Sequence, residues 1–292
     1  MCNEAVLAQW LALVKAPGLG PVGIQQLLAR WGSIDALFKA PIDAWRQEGL
    51  STAVIQALLN PSNDAIDKDL EWSQYEDHHI ITWDDGRYPA YLREIPAPPA
   101  VIYVKGQCDA LQGKAIAVVG SRKATRCAQA FAHQLADALS QENIIIISGL
   151  AMGVDAAAHR GALHAHGRTV AVLGHGLQTI YPKNHHSLAT SVAGCGALLS
   201  EYGVGVSPQA YHFPQRNRLI SGLSKAVVVV EATRQSGSLI TVNHALDQGR
   251  EVFAVPGSLG NPAASGCHLL IKQGAQLIES PLDILEALGW SN

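Results

Sequence analysis

Charge is scarce in this chain. Of its 292 residues only 15% are Asp, Glu, Lys or Arg, against 48% hydrophobic. That balance excludes a disordered chain, which needs many charges and few apolar groups. Long apolar runs are missing too. None approaches the roughly 18 residues that span a bilayer, so no membrane segment is expected. The opening MCNEAVLAQWLALVK lacks a basic head and a small-residue cleavage site. No secretory signal is read there, and a cytoplasmic location is the expectation. Cysteine is sparse as well. Cys2, Cys108, Cys127, Cys195 and Cys267 are odd in number, scattered, and never at C-x-x-C spacing. The pattern argues against a disulfide framework or a zinc site, and the five read as free thiols. Neither a solenoid repeat nor a low-complexity tract is found.

What charge there is lies unevenly. Residues 1–110 hold 8 Lys/Arg against 14 Asp/Glu, whereas residues 111–292 hold 13 against 10 and ten of the twelve histidines. A local patch in the larger part can serve an anionic ligand. A balance this small also arises with no function attached.

Three segments follow from the patterning. Residues 1–75 carry helical spacing in AVLAQWLALV and GIQQLLARWG, punctuated by Pro17, Gly18, Gly20 and Pro21. Residues 76–112 read as a proline-rich linker ending in the short strand AVIYVKG. From 113 to 292, apolar runs alternate with helical stretches. The expected strands are AIAVVG, IIIIS, TVAVLG, AVVVVEA, EVFAVPG and AQLIES, with ALLSEY a weaker candidate. Continuous β-branched runs separated by helices predict a mostly parallel sheet covered on both faces, a doubly wound α/β domain.

Ligands of such a sheet bind beyond the carboxyl ends of its strands. Gly120-Ser121-Arg122-Lys123 follows the first of these strands. A glycine there lets backbone approach a phosphate, and Arg122 adds a forked charge. It is neither G-x-G-x-x-G nor a P-loop, and a plain strand-to-helix turn reads the same way. Asp155 and His159 follow SGLAMGV at i,i+4. They fit a helix-terminal charge and a satisfied polar group better than a catalytic pair, since no nucleophile accompanies them. Lys183 lies in IYPKN, a turn within reach of a phosphate. His175, His185 and His186 have irregular spacing and no carboxylate, so no metal site is expected. Ser236-Gly237-Ser238 opens an apolar helix, as a cap or as an anion cradle. In FPQRNR, Phe213 is a core residue or a base platform. Arg216, Asn217 and Arg218 must pair with acids or face an anion, so close to a buried strand.

Taken in order, these motifs resemble the DNA-processing protein A family, also called Smf or DprA. The match runs over roughly residues 82–280, through AVVGSR, ISGLAMGVDAAAH, IYPKNH, FPQRNRLISGLS and VVVVEATRQSGSLITVNHALDQGREVFAVPG. The resemblance implies an extended Rossmann-like domain that binds single-stranded DNA without sequence preference. It also implies a homodimer, loading of a RecA-type recombinase during natural transformation, and no cofactor. The family's DNA contacts carry over to Arg122 and Lys183, with the FPQRNR and Ser-Gly-Ser segments less directly marked. The family often has a small N-terminal helical domain of the SAM-like or helix-hairpin-helix type, and APGLGPVGIQQLL fits a hairpin. The acidic surroundings favour a structural or protein-contact role for it. Many members add a C-terminal winged-helix module, which is not expected in a chain ending LDILEALGWSN. Arg126-Cys127 and Cys267-His268 depart from the family's usual residues.

Two other readings stand beside this one. A Rossmann-like nucleotide hydrolase of the phosphoribohydrolase type would need a catalytic glutamate in the helix that RQSGSLITVNHA opens, and none is there. A pure adaptor would bind a recombinase through the acidic helical segment or a sheet edge.

Overall fold

The computed structural model describes residues 4–291; Cys2 lies outside them. Six helices come first: α1 (Glu4–Lys15), α2 (Pro21–Trp31), α3 (Ile34–Lys39), α4 (Ile42–Gln47), α5 (Thr52–Leu59) and α6 (Asn63–Trp72). Then follow β1 (His78–Thr82), α7 (Ala90–Arg93), β2 (Val101–Gly106), β3 (Ala115–Val119), α8 (Arg126–Gln141), β4 (Ile145–Ser148), α9 (Val154–His164) and β5 (Thr169–Leu173). The chain continues through α10 (His186–Cys195), β6 (Ala197–Ser200), α11 (His212–Gly222), β7 (Ala226–Val229) and α12 (Ser238–Asp247). It closes with β8 (Glu251–Ala254), α13 (Ser265–Lys272), β9 (Gln276–Leu277) and α14 (Pro281–Ala287).

The strands form one nine-stranded sheet in the order β1-β2-β6-β5-β4-β3-β7-β8-β9. Pairing is parallel from β6 to β9, while β2 runs antiparallel to both β1 and β6. The doubly wound, mostly parallel sheet expected from the β-branched runs is the observed fold. The passage read as a linker ending in one strand contributes two. HHIIT escapes the period-2 pattern because its two isoleucines are buried on opposite faces, Ile80 and Ile81 in different cores. AQLIES shrinks to a two-residue strand at the exposed edge.

The alternation of the strands sends successive residues to opposite layers. Ala115, Ala117 and Val119 of β3 join a core with α7, α11, α12 and α13; Ile116 and Val118 join one with α8, α9 and α14. Burying each valine or isoleucine contributes about 1.5–3 kcal/mol against its exposed state. A third core binds α1–α6 and α10 to β1, β2, β5 and β6. Asp69 of α6 pins this junction. It is 2% exposed and accepts from Lys15 Nζ at 2.7 Å, Tyr103 O–H at 2.6 Å and the Val204 amide at 3.0 Å. Among the described residues no helix is long and apolar enough to cross a membrane.

Candidate nucleic-acid interface

The strand order reverses at β3. From there the chain first builds outward through β4, β5 and β6, then returns to add β7 on the other side. The connections at the carboxyl ends of β3 and β7 therefore part, which is where open α/β sheets take ligands. A cleft of about 600 Å³ lies at this point. Gly120, Ser121, Arg122, Phe213, Arg216, Asn217, Ser236, Gly237 and Ser238 all line it. Lys183 and Arg218, the other two sequence candidates, do not.

Three glycines hold the loops around this cleft together. A Cβ on Gly149 would meet the Arg216 guanidinium at 2.7 Å and the Asp155 carboxylate at 2.8 Å. Gly153 has φ +78°, and a Cβ there would meet the Ser121 carbonyl at 2.2 Å. A Cβ on Gly120 would meet Val154 at 2.6 Å. The loop after β3 thus packs directly on the loop after β4, with no room for side chains.

Several amides expected to face phosphate are already engaged within the protein. The Ser121 N–H donates to the Glu231 carbonyl at 2.7 Å, and the Lys123 N–H to Ser121 Oγ at 3.1 Å. Glu231, a buried carboxylate at the end of the β7 run, accepts from the Thr125 amide at 3.1 Å and its hydroxyl at 2.8 Å. Asp155 accepts from the amides of Gly149 and Ala151 at 3.1 and 3.3 Å. Ser236 Oγ lies 2.8 Å from Ser238 Oγ and accepts the Ser238 N–H at 3.4 Å. What the cleft offers an anion is chiefly side-chain charge. Arg122 and Lys123 are exposed on its rim.

FPQRNR is helical, not extended: it forms the first turns of α11, where Pro214 is tolerated because early helical N–H groups have no intrahelical partner. Arg216 is 4% exposed and donates to the Gly149 carbonyl at 3.0 Å, to the Val172 carbonyl, and to Asn217 Oδ1 at 3.3 Å. Among the described residues no carboxylate lies within ion-pair distance of it. Burial pushes its pKa down to about 10, against the attraction of Asp155. It remains charged at neutral pH. Burial likewise raises the Asp155 carboxyl, opposed by Arg216 and the two amides. The Phe213 ring carries both cations, with Arg122 5.7 Å and Arg216 5.9 Å from its centroid. Tyr181, 48% exposed, adds its ring 5.6 Å from Phe213. Lys183, exposed, follows Tyr181 by two residues in the segment between β5 and α10.

Arg218 points elsewhere. Its guanidinium makes a two-pronged ion pair with Glu201, 2.6 Å at each contact, and donates to the Ala97 carbonyl at 3.0 Å. Asp155 and His159 do not pair either. Thr169 donates its hydroxyl proton to the Ile146 carbonyl, so it accepts from His159 Nδ1–H at 2.7 Å. His159 is fully buried, and burial pushes its pKa down to about 3, helped by His185 and Arg216. His175 and His185 direct their Nδ1 atoms at the carbonyls of Gly176 and Leu150.

Sequence reasoning missed Lys123, Glu231 and Tyr181 as parts of the site. Lys123 follows Arg122 directly, and Tyr181 lies in the same IYPKN turn as Lys183. The lone acid ending AVVVVEA was the available signal for Glu231, since a buried carboxylate demands donors.

Residues 79–289 match the family model described as DNA recombination-mediator protein A. The chain is 42% identical over 283 residues to Protein Smf of Escherichia coli (strain K12), covering 96% of this chain and 74% of that one. It is 46% identical over 203 residues to DNA processing protein DprA of Bacillus subtilis (strain 168), covering 69% and 68%. The X-ray structure of DprA from Streptococcus pneumoniae superposes with a TM-score of 0.85 at 34% identity, covering 96% of this chain and 97% of that one. DNA processing protein A from Helicobacter pylori, described as having a unique single-stranded DNA binding mode, gives 0.66 at 28%, covering 74% and 97%. Together with the cleft at the switch point, these matches place the chain in the DNA recombination-mediator protein A family, the DprA/Smf proteins.

Proposed function

We propose that this protein binds single-stranded DNA without sequence preference, laying the strand across the carboxyl ends of β3, β4 and β7. The observation that carries this reading is Arg216, a buried cation without a carboxylate in contact, on a cleft rimmed by Arg122 and Lys123. A buried charge in that state is stabilised by an incoming anion. Arg122, Lys123, Lys183 and Arg216 supply phosphate contacts, with the Ser236–Ser238 turn alongside. Tyr181 and Phe213 supply ring faces, on which any base can stack. The single-strand binding described for the Helicobacter pylori relative supports the same ligand.

The finer role follows the family. The chain protects incoming strands in the cytoplasm as a homodimer and hands them to a RecA-type recombinase during DNA uptake. The helical segment 1–75, the connecting passage 76–112 and the sheet domain 113–292 divide the work. Nucleotide hydrolysis finds no support in the nearby carboxylates: Asp155 is held by two amides, and Glu231 by one amide and a hydroxyl.

Fluorescence anisotropy with a single strand, its duplex and a mononucleotide, each at two salt concentrations, tests the reading. Four neutralised phosphates give a slope of about −3 in log K against log salt for a single strand. Unchanged affinity in the Arg122→Ala, Lys183→Ala double variant, or equal preference for the mononucleotide, overturns it.

A further inference from the structure

Beside the cleft lies a second cavity of about 520 Å³. The two share Pro214 and Ile240 as a common wall, so a chain leaving the cleft over α11 passes directly into it. Their linings differ in kind. The second cavity is walled mainly by flat or apolar groups, Pro21, Ala97, Tyr202, Pro214 and Ile240, and Gln215 adds an uncharged amide that accepts from the Tyr202 hydroxyl at 3.2 Å. Its charges are the Arg218–Glu201 pair, which neutralise each other at 2.6 Å. His244 completes the wall, and burial lowers its pKa, with Arg218 acting in the same direction. A phosphate gains nothing from such a lining. An uncharged planar ring does, because it loses little on leaving water and gains contact with Tyr202 and the two prolines.

We infer that this cavity is a socket for an unpaired nucleobase of the strand held in the neighbouring cleft. The inference rests on the single-strand reading above and adds to it. The cleft holds phosphate and the socket holds a base, one step along the same strand. A duplex cannot fill the socket without unstacking, so the socket selects for single strands. It also assigns work to the helical segment. Pro21 is the first residue of α2, directly after the Gly18-Leu19-Gly20 connection, and it lines the socket.

The test walks a single abasic spacer along an oligothymidylate, keeping every phosphate. At the position that reaches the socket, loss of the base weakens binding to the wild-type protein about tenfold, the effect of one stacked base. Ala97→Trp, which fills the cavity while leaving its backbone carbonyl for Arg218, abolishes that position-specific penalty. Tyr202→Leu, which removes the ring, does the same and serves if the first variant does not fold. Both variants then bind the complete strand about as weakly as the wild type binds the abasic one. A penalty that is absent in the wild type, or that persists in both variants, overturns the socket while leaving the cleft intact. Failure of the wild type to bind any single strand overturns the reading beneath it.

Discussion

Arg216 and Arg218 stand two residues apart on α11, both largely buried, and meet opposite conditions. Arg218 is matched by Glu201 in a two-pronged contact; Arg216 has only carbonyls and an amide oxygen as partners. A helix turns through about 100° per residue, so side chains at i and i+2 face away from each other. One side of α11 therefore looks into the cleft at the switch point and the other into the cavity beside it. Burial alone does not separate the two arginines; the carboxylate that Arg218 contacts and Arg216 lacks does.

Removing each charge in turn should separate the two sides. Arg218→Met leaves Glu201 desolvated without its partner and should lower stability by about 3–5 kcal/mol in urea unfolding. Its salt slope for single-strand binding should not change. A stability loss under 1 kcal/mol would mean that Glu201 finds water instead.

The cleft side has a pH signature of its own. His159 of α9, fully buried and acted on by the Arg216 charge, has a folded pKa of about 3, depressed first by burial and then by His185 and Arg216. The unfolded imidazole titrates near 6.5. Between those values the unfolded chain binds the extra proton, so stability falls as pH drops through that window. The loss is complete near pH 3 and is on the order of 4 kcal/mol. His159→Asn keeps a donor for Thr169 and should flatten the acid limb of the stability profile. An unaltered limb would assign acid sensitivity to other groups.

Arg216→Met reverses the pattern of Arg218→Met. Strand affinity should fall roughly 30-fold, the worth of about 2 kcal/mol of charge-assisted contact. Unfolding should change less, because Asp155 loses the attraction of Arg216 but keeps the amides of Gly149 and Ala151. Equal losses of stability in the two variants would erase the distinction between them. Smallest is Arg122→Ala, an exposed rim contact, which should lower the salt slope by about 1 and weaken all sequences alike.

The same comparison explains how far the sequence could be read. Strands such as AIAVVG and AVVVVEA were legible because both faces of the sheet are covered, which makes the runs continuously apolar. The cleft was legible as glycine turns after those strands. FPQRNR was not legible as a helix: its arginines suggested one anion-facing rim because a linear segment shows no rotation. Glu201 and the carbonyls of Gly149 and Val172 reach α11 only through the folded chain. The engaged amides of Ser121 and Lys123 were hidden for the same reason.

The Asp69 node has a consequence for how the molecule comes apart. A single carboxylate, closed off from water, joins α1, α6, β2 and the segment after β6. Fraying α1 alone would leave the Asp69 carboxylate without Lys15, and fraying α6 would leave the Tyr103 hydroxyl and the Val204 amide without their acceptor, each at a cost beyond that of one surface contact. In amide exchange, α1 and α6 should then open with β2 as one cooperative unit. The wall that Pro21 contributes thus keeps its place as long as the sheet itself does.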